Sequence, residues 1–248
     1  MSALVDVGYR RVVVGFGGFR IRLRARSLVV GIALAAAVIA LAVVSLGLGS
    51  YALDPAQVIT AFAGGGTDLD RTVVLEGRLP RTLAAVTLGA LLAVSGALFQ
   101  TVTRNPLASP DILGLSNGAF AGMLLTLTLV SSSWPALTVG AVVGGVSVAL
   151  VIGALARRGG VQGFRLIVIG IGISAMLASL NTWMLLQVEL ETAMFASAWG
   201  AGSLNGITAA PLGGALACAA PLLVGVAVLV PRLRQLDLGD DVAAATGA

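Results

Sequence analysis

Long apolar stretches separated by short polar ones dominate the chain. Six stand out: Leu28–Leu48, Thr82–Val102, Gly114–Val130, Leu137–Ala156, Leu166–Leu186 and Leu212–Val230. Five of them run 19 to 21 residues. At a rise of ~1.5 Å per residue, a helix of that length covers close to the ~30 Å hydrocarbon core of a bilayer. Gly114–Val130 is the shortest, at 17 residues. Runs this long, apolar on every side, predict helices whose solvent is lipid. The expected fold is therefore all-α: a polytopic transmembrane helix bundle of about six spans. Residues 1–27 form a basic N-terminal segment, 28–230 the membrane domain and 231–248 a polar segment beyond the last span.

Composition agrees. Of 248 residues 58% are hydrophobic and 10% charged, and the mean hydropathy is +1.02. A soluble domain carries about a quarter charged residues to meet water. The net charge of +4 and a pI near 10.5 invite a nucleic-acid reading. However, all 15 basic residues are Arg, and most stand at the ends of apolar runs. That distribution encodes topology instead, and no nucleic-acid partner is expected. An even number of spans puts both termini on one side. That side receives twelve arginines (Arg10, Arg11, Arg20, Arg22, Arg24, Arg26, Arg104, Arg157, Arg158, Arg165, Arg232, Arg234). The other receives three, Arg71, Arg78 and Arg81, so the N-terminus is expected in the cytoplasm. Arg78 and Arg81 are the informative exceptions, because they bracket Leu79-Pro80 at the outer mouth of the second span. They either reach to lipid headgroups or present fixed positive charge to an acidic partner outside. Pro80 suits the first turn of a helix and is expected to hold that end rigid.

Absent residue types remove whole classes of chemistry. Without His, there is no Ser-His-Asp triad, histidine metal site or histidine proton relay. Without Lys, there is no Walker A phosphate loop, and Gly15-Phe16-Gly17-Gly18 reads as a juxtamembrane turn. The lone Cys218 has no disulfide partner. No cofactor and no metal are expected. The spans hold only weakly polar groups, among them Thr87, Ser95 and Gln100 in the second and Ser174, Ser179, Asn181 and Thr182 in the fifth. These suit hydrogen bonds between helices. Gly118 with Gly122, and Gly140 with Gly144, are spaced for close helix approach. Ion coupling normally places an ionisable group at membrane depth. None is present, so energy for uphill movement has to come from another subunit.

The least regular stretch is Gln100-Thr101-Val102-Thr103-Arg104-Asn105-Pro106-Leu107-Ala108-Ser109-Pro110-Asp111-Ile112-Leu113-Gly114-Leu115-Ser116-Asn117-Gly118. Its prolines cannot continue the second span. Asn105-Pro106 and Ser109-Pro110 each pair a capping side chain with a residue fit for a first helical turn. The expectation is a helix end, a short helical turn, and a Ser-Asn-Gly corner into the third span. Irregular backbone at this depth belongs inside protein or beside a cavity. Gln100, Asn105, Pro106, Pro110, Gly114 and Asn117 are accordingly the candidate residues of a central pathway.

These residues, together with Arg78-Leu79-Pro80-Arg81-Thr82, Gly89 and Ser95-Gly96, resemble the FecCD family. Its members are permease subunits of ABC importers for ferric siderophores, haem and cobalamin. Trp199 with Gly202-Ser203-Leu204-Asn205-Gly206 is similar to a segment of the siderophore branch. The resemblance implies transport by alternating access in a bacterial inner membrane, with no catalysis by the chain itself. It implies an ABC ATPase subunit, an extracytoplasmic substrate-binding protein and a second permease as partners. It assigns Arg78 and Arg81 to docking the binding protein through its glutamates. It assigns Leu238, Gly239, Asp240, Asp241, Ala244 and Gly247 to a cytoplasmic helix that couples to the ATPase. Asp241 stands where Glu is common, and Thr246 where Leu is common. Without the family, Asp237, Asp240 and Asp241 read as an acidic helix start.

Family permeases have about ten spans, whereas this chain stops after six, inside the coupling helix. A truncated, non-transporting permease remnant or membrane scaffold is thus one alternative, and missing helices supplied by another chain a further one. A haem or cobalamin permease is a third, and a secondary transporter or channel a fourth.

Overall fold

The computed structural model describes residues 11–16, 19–156, 163–236 and 245. A short antiparallel hairpin, β1 (Arg11–Phe16) and β2 (Phe19–Arg24), precedes nine α-helical segments among the described residues. These are α1 (Ala25–Gly47), α2 (Pro55–Phe62), α3 (Asp68–Arg71), α4 (Leu79–Thr103), α5 (Leu115–Leu129), α6 (Trp134–Ala156), α7 (Gly163–Gln187), α8 (Leu190–Gly200) and α9 (Ala209–Leu236). Five helices are long and apolar enough to cross a membrane: Ala25–Gly47, Asp68–Thr103, Trp134–Ala156, Phe164–Gln187 and Ala209–Val230. The sixth apolar helix, α5, has 15 residues, or ~22 Å, and falls short of the hydrocarbon thickness. The chain is thus a polytopic helical membrane protein, and α2, α3 and α8 are short elements that apolar run length does not reveal.

Packing divides the chain into two units, residues 1–86 with 206–212 and residues 87–205 with 213–248. In the first, Leu53, Val58, Ala61 and Val74 form a small buried cluster, flanked by Leu46, Val73 and Leu75. α2 opens with Asp54 as N-cap and Pro55 in its first turn, and the Asp54 N–H donates to the Gln57 side chain at 2.8 Å. α3 opens on a capping box. Thr67 Oγ1 accepts from the Asp70 N–H, and the Asp70 carboxylate accepts from the Thr67 N–H, both at 3.1 Å. α1 buries no residue, and its Val29, Leu34 and Leu41 are 64 to 69% exposed, which suits contact with acyl chains.

The second span does not begin where the apolar pattern suggested. Helix runs without a break from Asp68, through a π-helical stretch at Thr72–Arg78, into α4. Pro80 therefore lies inside the rod, as the second residue of α4, and does not start a helix. In a regular α-turn its ring would collide with the Glu76 carbonyl and leave that carbonyl without a donor. The wider π turn accommodates this: the Leu79 N–H bonds Val74 O, five residues back.

In the second unit, α5, α6 and α7 pack around Met123, Leu124, Leu137, Ala141, Met184 and Ala196. Phe120 and Trp199 press on that cluster. α5 and α6 touch through the glycines picked out from spacing. A Cβ on Gly122 would strike the backbone of Gly140 and Gly144, and one on Gly144 would strike Gly118 O. Two helix backbones come this close only where neither carries a side chain.

Candidate functional site

Polar contacts between separate segments gather at three places: the end of α1 against the π segment, the link between α4 and α5, and the contact of α5 with α7. At the first, α1 exhausts its hydrogen-bond partners at Gly47, leaving its last carbonyls to be met from outside the helix. Arg78 does this. Its Nη1 donates to Leu46 O at 2.8 Å, and its Nη2 donates to Tyr51 O. Gly47 O accepts from the Leu53 N–H at 3.2 Å. A Cβ on Gly49 would lie 2.7 Å from Arg78 Nη2, so a glycine there leaves room for the guanidinium. A positive charge at a helix C-terminus is also favoured by the dipole. Nearby, the Tyr51 hydroxyl donates to the buried Asp70 carboxylate at 3.0 Å. That bond, with the carboxylate's charge, raises the phenol above its ordinary pKa. Ser45 Oγ and Thr82 Oγ1 lie 2.9 Å apart and tie α1 to the start of α4.

The two arginines thus differ. Arg78 is half-buried and holds the end of α1, while Arg81 is exposed. Sequence reasoning treated them as equivalent. What it missed was an acceptor pair formed by a preceding helix end, which no local pattern around Arg78 reveals.

The link after α4 starts with a Schellman close. The Arg104 N–H donates to Thr101 O and the Asn105 N–H to Gln100 O, both at 3.2 Å. Arg104 takes the left-handed position (φ 50), where glycine is usual. Asn105 Oδ1 then accepts from the Leu107 N–H at 2.9 Å, an Asx turn across Pro106. Pro110 caps a single 3₁₀ turn, Asp111–Leu113. The corner into the third apolar helix is Gly114, left-handed at φ 77, and not Ser-Asn-Gly: Ser116, Asn117 and Gly118 already belong to α5. Only a residue without Cβ fits, because a Cβ on Gly114 would sit 2.8 Å from Ser174 Cα on α7. Ser116 Oγ closes the corner by donating to Asp111 Oδ1 at 2.6 Å.

Polar side chains join α5 to α7 just beyond that corner. Asn117 Nδ2 donates to Ser174 Oγ at 2.9 Å, and Asn181 Nδ2 donates to Asn117 O at 3.0 Å. Asn181 is 4% exposed, and its Oδ1 has no partner among the described residues. Ser179 and Thr182 instead bond to their own helix, at Ala175 O and Ala178 O. Gly170 of α7 accommodates Leu113, whose Cα would lie 2.9 Å from an added Cβ. The structure therefore brings Gly114 and Asn117 together with Ser174, Asn181 and Gly170 in one tight junction. Asn105, Pro106 and Pro110 shape the loop leading to it. Gln100 contributes a carbonyl to the loop's first turn.

A cavity of about 320 Å³ lies between α4 and α9, lined by apolar side chains including Leu98, Val226, Val230 and Leu233, with Thr101 as its polar member. It contains none of the pathway residues picked out from sequence. Leu238, Gly239, Asp240, Asp241, Ala244 and Gly247 lie outside the described residues.

Comparison with known proteins gives this arrangement its class. The FecCD transport family profile matches residues 26–248, and the chain belongs to that family. It is 42% identical over 227 residues to the ferric enterobactin transport system permease protein FepG of Escherichia coli K12, covering 92% of this chain and 69% of that protein. It is 39% identical over 200 residues to the achromobactin transport system permease protein CbrC of Dickeya dadantii, covering 79% of this chain and 57% of that one. Its fold is similar to that of a metal-chelate type ABC transporter solved in an inward-facing conformation, with a TM-score of 0.72 at 26% identity, covering 88% of this chain and 67% of that chain. The chain thus spans somewhat more than half to about two thirds of the length of these relatives. Family and helices together make it a multi-pass membrane protein of transport, not an enzyme.

Proposed function

We propose that the chain is a permease subunit of an ATP-binding-cassette importer that moves a ferric siderophore across the bacterial inner membrane by alternating access. The observation that carries this reading is its 42% identity to FepG across 92% of the chain. The Trp199 to Gly206 segment favours a siderophore over haem or cobalamin. Hydrolysis takes place on a separate ATPase subunit, docked beneath the cytoplasmic segment Leu238 to Gly247. A substrate-binding protein delivers the chelate to the outer face, and a second permease, identical or not, completes the pathway. The N-terminus and residues 1–27 lie in the cytoplasm, and residues 28–230 form the membrane domain.

Within this reading, Arg81 is the better candidate for pairing with a carboxylate on the binding protein. Arg78 supports it from behind by fixing the end of α1. Gly114, Asn117, Ser174 and Asn181 make a junction through which movement of the α4–α5 link reaches α7. To test transport, the chain is reconstituted with its ATPase and binding protein in vesicles, and uptake of ferric siderophore is followed with and without ATP. Uptake that persists when hydrolysis is blocked would identify a secondary transporter or channel instead. In the same vesicles Arg81→Glu is expected to weaken binding-protein affinity about tenfold, as a reversed interfacial charge does. An unchanged affinity removes the docking role.

A further inference from the structure

Four residues of the rod through Asp68–Thr103 meet the end of α1 and the turn after it, and they recur at every fourth position. The Asp70 carboxylate accepts from the Tyr51 hydroxyl at 3.0 Å. Val74 is fully buried in the cluster with Leu53, against which Leu46 packs. Arg78 donates to the carbonyls of Leu46 and Tyr51. Thr82 Oγ1 lies 2.9 Å from Ser45 Oγ.

A regular α-helix cannot keep these four on one line. At ~3.6 residues per turn each residue advances by about 100°, so every fourth position drifts by about 40°. Over the three steps from Asp70 to Thr82 the drift comes to about 120°, a third of the way round. One end would then turn away from α1 whenever the other faced it. The π-helical stretch Thr72–Arg78 lies between the two ends, and the Leu79 N–H reaches back five residues to Val74 O. Such a turn takes in one residue more than an α-turn. That residue withdraws about 100° of rotation and leaves about 20° between Asp70 and Thr82. The four contacts then form a single seam. Pro80 disfavours the alternative, because closing the stretch to α would drive its ring against the Glu76 carbonyl.

We propose that Pro80 is a positioning residue for the arginine pair. By excluding the α-turn it keeps the one-residue offset. The offset holds Arg78 on the end of α1 while Asp70 and Val74 stay seated. Arg81 comes one residue, or about 100°, before Thr82, so it stands off the seam and is exposed. The seam is independent of transport, and only its consequence for docking rests on the reading above.

The full chain carrying Cys218→Ser is held in nanodiscs with one of two probes. Val74→Cys is timed in its reaction with a water-soluble maleimide. Ser45→Cys with Thr82→Cys is oxidised, and the cross-linked fraction reports the other end of the seam. Neither probe needs a partner protein. With Pro80 in place, Val74→Cys should react slowly and the pair should cross-link. Pro80→Ala should open one end: labelling quickens, or cross-linking falls, about tenfold, the shift that losing one hydrogen-bonded anchor permits. Removing Gly77 as well takes out one residue, so a plain α-helix regains the alignment and both probes should recover. Changes that merely destabilise add and do not rescue one another. Both probes unmoved by Pro80→Ala, or still displaced after Gly77 is removed, overturn the proposal. If Pro80→Ala yields no folded chain, a double variant that folds with both probes restored supports it, and one that does not fold overturns it. Affinity for the binding protein should fall with Pro80→Ala and return in the double variant. An open seam with unchanged affinity overturns the positioning role, whereas Arg81→Glu alone tests the docking reading.

Discussion

Helix α1 is 23 residues long and buries none of them, whereas α5 is 15 residues long and buries Gly118, Ala121, Met123 and Leu124. Both are strongly apolar, so hydrophobicity does not separate them. The difference lies in what interrupts the apolar surface. Along α5, Gly118 and Gly122 meet Gly144 and Gly140, and Asn117 reaches Ser174. Along α1, Gly31 has nothing within 4 Å, and the helix is held at its end, where Arg78 takes the Leu46 carbonyl. In lipid, apolar area gives no preference for another helix over an acyl chain. Small residues that admit a close backbone, and polar groups that need a partner, decide which helices are bound into a bundle and which face the membrane.

The sharpest way to break this contrast is a side chain at the α5–α6 glycines. Gly122→Leu is expected to cost ~3 kcal/mol or more, or to abolish the folded form, since the obstacle is the backbone of Gly140 and not a yielding side chain. Thermal unfolding in detergent, with size-exclusion recovery, measures it. Next comes Gly114→Val. It combines a left-handed φ of 77 with the approach of Ser174, and about 2 to 3 kcal/mol is expected on the same assay.

Arg78→Met should cost about 1 to 3 kcal/mol by leaving carbonyls at the end of α1 without donors. Arg81→Met should stay within about 0.5 kcal/mol, because that side chain is exposed. If both behave alike in stability, the distinction between a fixing and a presenting arginine fails. Asn117→Ala is expected to cost about 1 kcal/mol, and a double-mutant cycle with Ser174→Ala should show coupling near 0.6 kcal/mol. The smallest effect is foreseen for Gly31→Leu, within about 0.5 kcal/mol, because nothing stands in its way. A large loss there would mean that α1 has a packing partner after all.

Much of this was legible in the chain itself. Apolar runs located the five helices long enough to cross a membrane, though not the start of the second, because each must supply a lipid-facing surface over a fixed thickness. GxxxG spacing marked the α5–α6 contact, since small residues four apart fall on one helix face. The Asn-Pro and Ser-Pro pairs marked the link after α4, because their backbone chemistry is local. The residues that resemble the FecCD family lie in that link and at Arg78 to Thr82, and the family match covers them.

Other features were hidden for a physical reason common to them all. The helix through Asp68–Thr103 absorbs Pro80 by widening to a π turn, and a propensity rule that stops helices at proline cannot foresee this. Arg78 and Arg81 look alike in a line of text. Only the approach of α1's last turn, 32 residues upstream, makes one a fixing residue and leaves the other exposed. Ser174, Ser179, Asn181 and Thr182 were equally polar candidates. Two of them cross to α5 and two bond to their own helix, according to which face α7 turns toward its neighbour. The corner moved from Ser-Asn-Gly to Gly114 because the space available was set by Ser174, 60 residues away in sequence. The sequence by itself determined solvent, the approximate places of the long apolar helices and the turn at Asn105-Pro106, all of which depend on neighbours in the chain. The tertiary structure decided which arginine is held, which polar groups pair and where glycine is obligatory, because those depend on distances between helices that no local pattern contains.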